Sequence, residues 1–120
     1  MSRPRPLRPT TNRQSRDQRL DMLGRVTAKI RKVGTDDVIH GRVKCLNLRG
    51  LFTWCELHLP DDTECEIHLD FPDEQIAIDG LGWVVYSEDT GMAIQFDEFS
   101  AENARKLASI LALHVARLAA

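Results

Sequence analysis

From about residue 23 onward, apolar and polar positions alternate with a period of two, the pattern of half-buried β-strands whose successive side chains point to opposite faces. Residues 22–33 read as the first such strand, closed by the turn residues Gly34, Thr35, Asp36 and Asp37. Over residues 38–46, Ile39, Gly41, Val43 and Cys45 share one face, expected to be the core face, while His40, Arg42 and Lys44 share the other. Residues 51–59 predict a third strand that ends at Pro60, Asp61 and Asp62. Residues 64–71 alternate most regularly: Glu64, Glu66, His68 and Asp70 against Cys65, Ile67, Leu69 and Phe71, before Pro72 and Asp73 break the strand. Residues 74–86 form a long strand in which Gly80 and Gly82 mark a bulge or a bend, and residues 91–96 complete the set after a turn at 87–90.

The period changes after residue 99. Residues 100–119 predict a helix, with Ser100 as N-cap, Glu102 in the first turn, and Leu107, Ile110, Leu111, Val115 and Leu118 recurring at spacings of three and four as one apolar stripe. Six short strands and one terminal amphipathic helix predict a mainly β chain. The expected form is a six-stranded antiparallel barrel or sandwich with the helix packed on an opening or face. A length of 120 residues suits one domain with a single core, and no internal repeat points to a solenoid.

Residues 1–18 carry almost no apolar side chain, Leu7 excepted, and so bury too little surface to offset the entropy of ordering. The expected organisation is a flexible arm over residues 1–20 and a barrel with its helix over residues 21–120. The formal net charge of -2 conceals a split, because residues 1–20 hold six arginines against one acid, Asp17, for +5, leaving -7 on the rest. A body of that sign is a poor platform for an extended nucleic-acid backbone, although the arm alone still offers phosphate contacts. No apolar stretch serves as a signal-peptide core or spans a bilayer, so a cytoplasmic location without membrane insertion is expected. Cys45, Cys55 and Cys65 are odd in number and read as reduced thiols.

Two features carry candidate chemistry. Arg13, Arg16 and Arg19 in the arm supply guanidinium forks, and Asn47 and Gly50 sit in a turn between two strands; together they are the parts of a clamp for a phosphate-bearing ligand. Taken separately, the arginines are an ordinary solvated basic tail and Asn47 with Gly50 an ordinary turn that accommodates a left-handed backbone. The run Cys55-Glu56-Leu57-His58 followed by Cys65-Glu66-Ile67-His68 supplies the ligand types of a structural zinc site. A hairpin centred on Asp61 and Asp62 would set these pairs on opposite faces, so no metal is expected. No catalytic triad or dyad is legible, the acidic row Glu64, Glu66 and Asp70 reads as a solvated face, and the chain is expected not to be an enzyme. Trp54 and Trp83 read as packing residues with nucleobase stacking as the alternative, and His114 as a partly packed helix residue.

The order of arginine-rich lead-in, strands with a glycine turn after the second, the closing strand Gly91-Met92-Ala93-Ile94-Gln95-Phe96 and a final helix resembles the PilZ domain family of bacterial cyclic di-GMP receptors over about residues 13–118. The resemblance implies a PilZ-type barrel, a signal-transducing role without catalysis or cofactor, and cyclic di-GMP as ligand. It implies contacts from Arg13, Arg16, Arg19, Asn47 and Gly50, and an unidentified protein partner that receives the signal. The family's turn motif, Asp/Asn-x-Ser-x-x-Gly, is met here by Cys45, Asn47 and Gly50, with the glycine as the strict match. Its Arg-x-x-x-Arg motif is met by arginines three apart, and with Arg19 in the second position Ser15 fills the first. A PilZ-fold interaction module without nucleotide binding is the alternative that these departures permit.

Overall fold

The computed structural model describes residues 20–21 and 25–119. Its strands are β1 (Leu20–Asp21), β2 (Thr27–Lys32), β3 (Val38–Leu46), β4 (Gly50–Trp54), β5 (Glu64–Phe71), β6 (Ile76–Glu88) and β7 (Gly91–Glu98), followed by the helix α1 (Ala101–Ala119). All pairings are antiparallel, in the order β1-β3-β2-β5-β6-β7-β4, and the further β3–β4 pairing closes β2 to β7 into a six-stranded barrel. Closure leaves no long unpaired edge on the ring.

The barrel follows from the alternation. On β5, Cys65, Ile67, Leu69 and Phe71 turn inward and are buried, while the polar members of the strand face out. Ala28 and Ile30 of β2, Ile39 and Val43 of β3, Leu51 of β4, Ile78 and Val84 of β6, and Met92, Ile94 and Phe96 of β7 complete the lining. Burying each of the larger aliphatic or aromatic side chains contributes about 1.5–3 kcal/mol relative to exposure. Leu107, Ile110 and Leu111 of α1 join the core, and Cys55 and Leu59, from the segment after β4, pack against it as well.

Ser100 caps the helix as expected: its Oγ accepts from the backbone N–H of Asn103 at 3.1 Å, and Lys106 pairs with Glu102 one turn earlier at 3.4 Å. Val115 does not continue the buried stripe; it is 51% exposed. The helix of 19 residues is about 28 Å long, and its stripe has left the core by Val115; the Leu118 side chain lies outside the described residues.

Three expectations on strand boundaries need correction. Within the first predicted strand, residues 22–33, the described strand is β2, and a separate short strand, β1, precedes that span; both lie along the same side of β3, with Leu20 opposite Leu46 and Thr27 opposite Arg42. The third strand ends at Trp54 rather than Leu59; beyond it Cys55 and Leu59, partly buried, pack against the core. No hairpin joins β4 to β5: β4 pairs with β3 and β7, and β5 with β2 and β6. The inward face of β3 also changes phase. A register shift between Val43 and Cys45 turns Leu46 fully into the core and leaves Cys45 half-buried. The glycines of β6 act as expected: the ladder with β7 shifts at Leu81 and Gly82, and Gly80 leaves room for the Phe99 ring, which packs edge-on against Phe96 at 4.8 Å.

Candidate functional site

The β3–β4 connection is a tight turn built around one side chain. Asn47 accepts at Oδ1 from the backbone N–H of Arg49 at 2.7 Å and of Gly50 at 3.0 Å, and its own N–H donates to the Gly50 carbonyl at 3.0 Å. An asparagine does this well because its short amide mimics a backbone group, whereas a longer side chain overshoots. The turn is pinned to the neighbouring strand by Phe96 N–H, which donates to the Arg49 carbonyl at 2.7 Å. Leu48 at the tip is 59% exposed, and Arg49 beside it is exposed too.

Gly50 answers a different need from the one its place in a turn implied. Among the described residues, positive φ is held by Gly34, Asp62 and Gln75, not by Gly50. Instead, a Cβ there would run into the Ile94 carbonyl oxygen of β7, which the closely packed β4–β7 ladder brings over it. Asn47 and Gly50 are thus brought together, as one turn rather than as two separate contacts.

The arm's root meets this turn. Leu20 pairs with Leu46, and Asp21 with Cys45, so the described chain begins on β3 immediately before Asn47. Arg13, Arg16 and Arg19 lie outside the described residues. The outward wall beside the turn is cationic and aromatic: the Lys44 ammonium stands 5.7 Å over the Phe52 ring, and Phe52 lies 6.4 Å from Tyr86. Lys44 continues a row of outward basic residues on β3 with Arg42 and His40. That row was visible in the sequence as the polar phase of the strand.

The cysteines and histidines of the zinc-like run do not converge. Cys65 is in the core, where burial pushes its thiol up to about 12, and His68 faces out to Asp79 at 2.6 Å. Burial also raises the Cys55 thiol, which donates to the Thr53 carbonyl at 3.8 Å, while His58 reaches back to the Cys55 carbonyl at 3.3 Å. Among the described residues no group of three such side chains is placed to hold a metal ion.

Two grooves cross the outer wall. One, ≈ 740 Å³, is crossed by the Arg31–Glu66 and His68–Asp79 pairs. The other, ≈ 720 Å³, lies between β2, β3 and the end of β4 and contains Trp54. The two tryptophans have separated roles: Trp83 is 1% exposed and Trp54 39%. Both read as packing residues in the sequence, and the difference depends on where β4 ends. Among the described residues no helix is long and apolar enough to cross a membrane. The chain matches no family model and no curated protein.

Proposed function

We propose that this chain is a PilZ-type receptor domain that binds cyclic di-GMP between its N-terminal arginines and the β3–β4 turn, and passes the signal on through changed protein contacts. The observation that carries this is the pairing of Leu20 with Leu46: the residue bonded to Arg19 opposes the residue bonded to Asn47. The arm is thus joined to the barrel beside the β3–β4 turn. Arg13, Arg16 and Arg19 offer bidentate donors for the two phosphates or for the O6/N7 edge of guanine. Lys44 and Arg49 add positive charge on the wall and at the turn. Asn47, whose Oδ1 serves the turn itself, acts chiefly by holding the backbone in shape. Ordering of the arm over the turn would create a new surface, which supplies a signal without any chemical step.

Substituting both Arg16 and Arg19 by alanine tests the assignment. Affinity for cyclic di-GMP should fall by about 2–4 kcal/mol with the barrel's thermal unfolding unchanged, since charge-assisted contacts are lost and no core residue is touched. Unchanged affinity would remove the arm from the site. A second reading, an interaction module of the same fold without nucleotide, is favoured by the engagement of Asn47 Oδ1 within its own turn and by the exposure of Leu48 at its tip. Binding of a protein partner by the barrel with no calorimetric response to cyclic di-GMP would select it.

A further inference from the structure

We infer that the groove beside Trp54 is a separate binding site for a guanosine phosphate. Its wall is assembled by register. Trp54 of β4 is directly opposite Arg42 of β3, Arg42 is opposite Thr27 of β2, and Lys29, two residues further along β2, is opposite His40. Directly opposed side chains start about 5 Å apart at Cβ and diagonal ones about 7–8 Å, so the Arg42 and Lys29 side chains can meet on one phosphate. The far rim carries Glu56, from the segment after β4, and Asp89, from the β6–β7 turn.

Three observations point to a ligand rather than to a solvated wall. Among the described residues Lys29, His40 and Arg42 take part in no ion pair, although the rest of the barrel, at -7 over residues 21–120, is rich in carboxylates. The neighbouring cation on the same face, Arg31, is paired with Glu66. Trp54 is the more costly exposure: a large ring at 39% accessibility, lining a groove of ≈ 720 Å³. That volume falls in the range of small-molecule sites.

The layout selects the ligand's chemistry. A planar base stacks on the indole, and a phosphate is held at the Arg42 and Lys29 end. A carboxylate is an acceptor only, so Glu56 and Asp89 call for a base edge with adjacent donors. Guanine presents N1–H and the N2 amino group side by side, whereas adenine offers a single amino group on its pairing edge. The site shares no residue with the arm and the β3–β4 turn, so it stands or falls apart from them.

The test is calorimetric titration of the full chain with guanosine 5′-monophosphate, with tryptophan fluorescence as a second readout. Saturable binding with a dissociation constant between about 10 μM and 1 mM is expected. It should weaken about tenfold or more in Trp54→Ala and in Arg42→Ala, which are outward substitutions that leave the circular dichroism spectrum intact, and should survive Trp54→Phe better than Trp54→Ala. Guanosine without phosphate and adenosine 5′-monophosphate should each bind about tenfold more weakly. Deletion of residues 1–19 should leave the affinity unchanged. Absence of saturation at about 5 mM, insensitivity to both substitutions, or equal affinity for the adenine nucleotide would overturn the inference. So would loss of binding on deleting the arm, or a single-stranded oligoguanylate that binds more than about tenfold tighter than the mononucleotide.

Discussion

Replacing Gly50 by alanine separates a ligand role for this residue from a structural one. An added Cβ would press on the Ile94 carbonyl oxygen and lie 3.1 Å from Gln95 Cα and 3.2 Å from the Ile94 carbonyl carbon. All three are backbone atoms, which cannot rotate aside. To admit the methyl group, β4 and β7 must part at a point pinned by the Phe96 to Arg49 hydrogen bond of 2.7 Å. Overpacking of a fitted site costs about 1–3 kcal/mol, and weakening one hydrogen bond adds about 0.5–1.5, so the expected loss is about 3 kcal/mol. For a domain of this size that lowers Tm by roughly 12 °C.

Gly34 provides the control. It holds φ at 87° with nothing within 4 Å of a built Cβ, so Gly34→Ala meets backbone strain alone, about 1–2 kcal/mol. Urea unfolding followed by circular dichroism compares the two variants. A Gly50→Ala protein within about 0.5 kcal/mol of wild type, or one more stable than Gly34→Ala, would refute the packing argument.

Two further outcomes are expected. The buried Cys65 thiol, raised to about 12 against an ordinary 9.0, stays protonated in the native state while the unfolded chain ionises. The unfolded state then binds fewer protons, so stability is intact below about pH 8.5 and falls as pH rises, by about 1.4 kcal/mol at pH 10; urea midpoints for Cys65→Val should lack this component. Ser100→Ala removes the acceptor for Asn103 N–H at 3.1 Å and should cost about 1 kcal/mol of unfolding free energy, with a matching loss of amide protection in the first turn of α1.

The strongest alternations in the sequence located the barrel well. The predicted bounds of the second and fourth strands, residues 38–46 and 64–71, match β3 and β5, because both are strands with one face in the core and one in solvent. The helix start at Ser100 was equally plain from its cap. What periodicity could not carry was partner choice. Residues 55–63 look like a strand end and a hairpin turn, yet β5 pairs with β2 rather than with β4, since closing the ring is a long-range matter. The same limit hid the separation of Trp54 from Trp83 and the phase change at Cys45. Asn47 and Gly50 were legible as a turn, but the reason for the glycine lay in β7, more than forty residues away. The groove residues Lys29, His40 and Arg42 were visible only as polar phases of two strands until the register set them side by side.

Binding at the corner where β1 pairs with the end of β3 is measured by isothermal titration of the full chain with cyclic di-GMP, alongside the same protein lacking residues 1–19. A saturable exothermic response with a dissociation constant on the order of 1 μM is expected for the full chain and none for the truncated one. No heat from the full chain at about 100 μM ligand, or equal binding by the truncated chain, would contradict it.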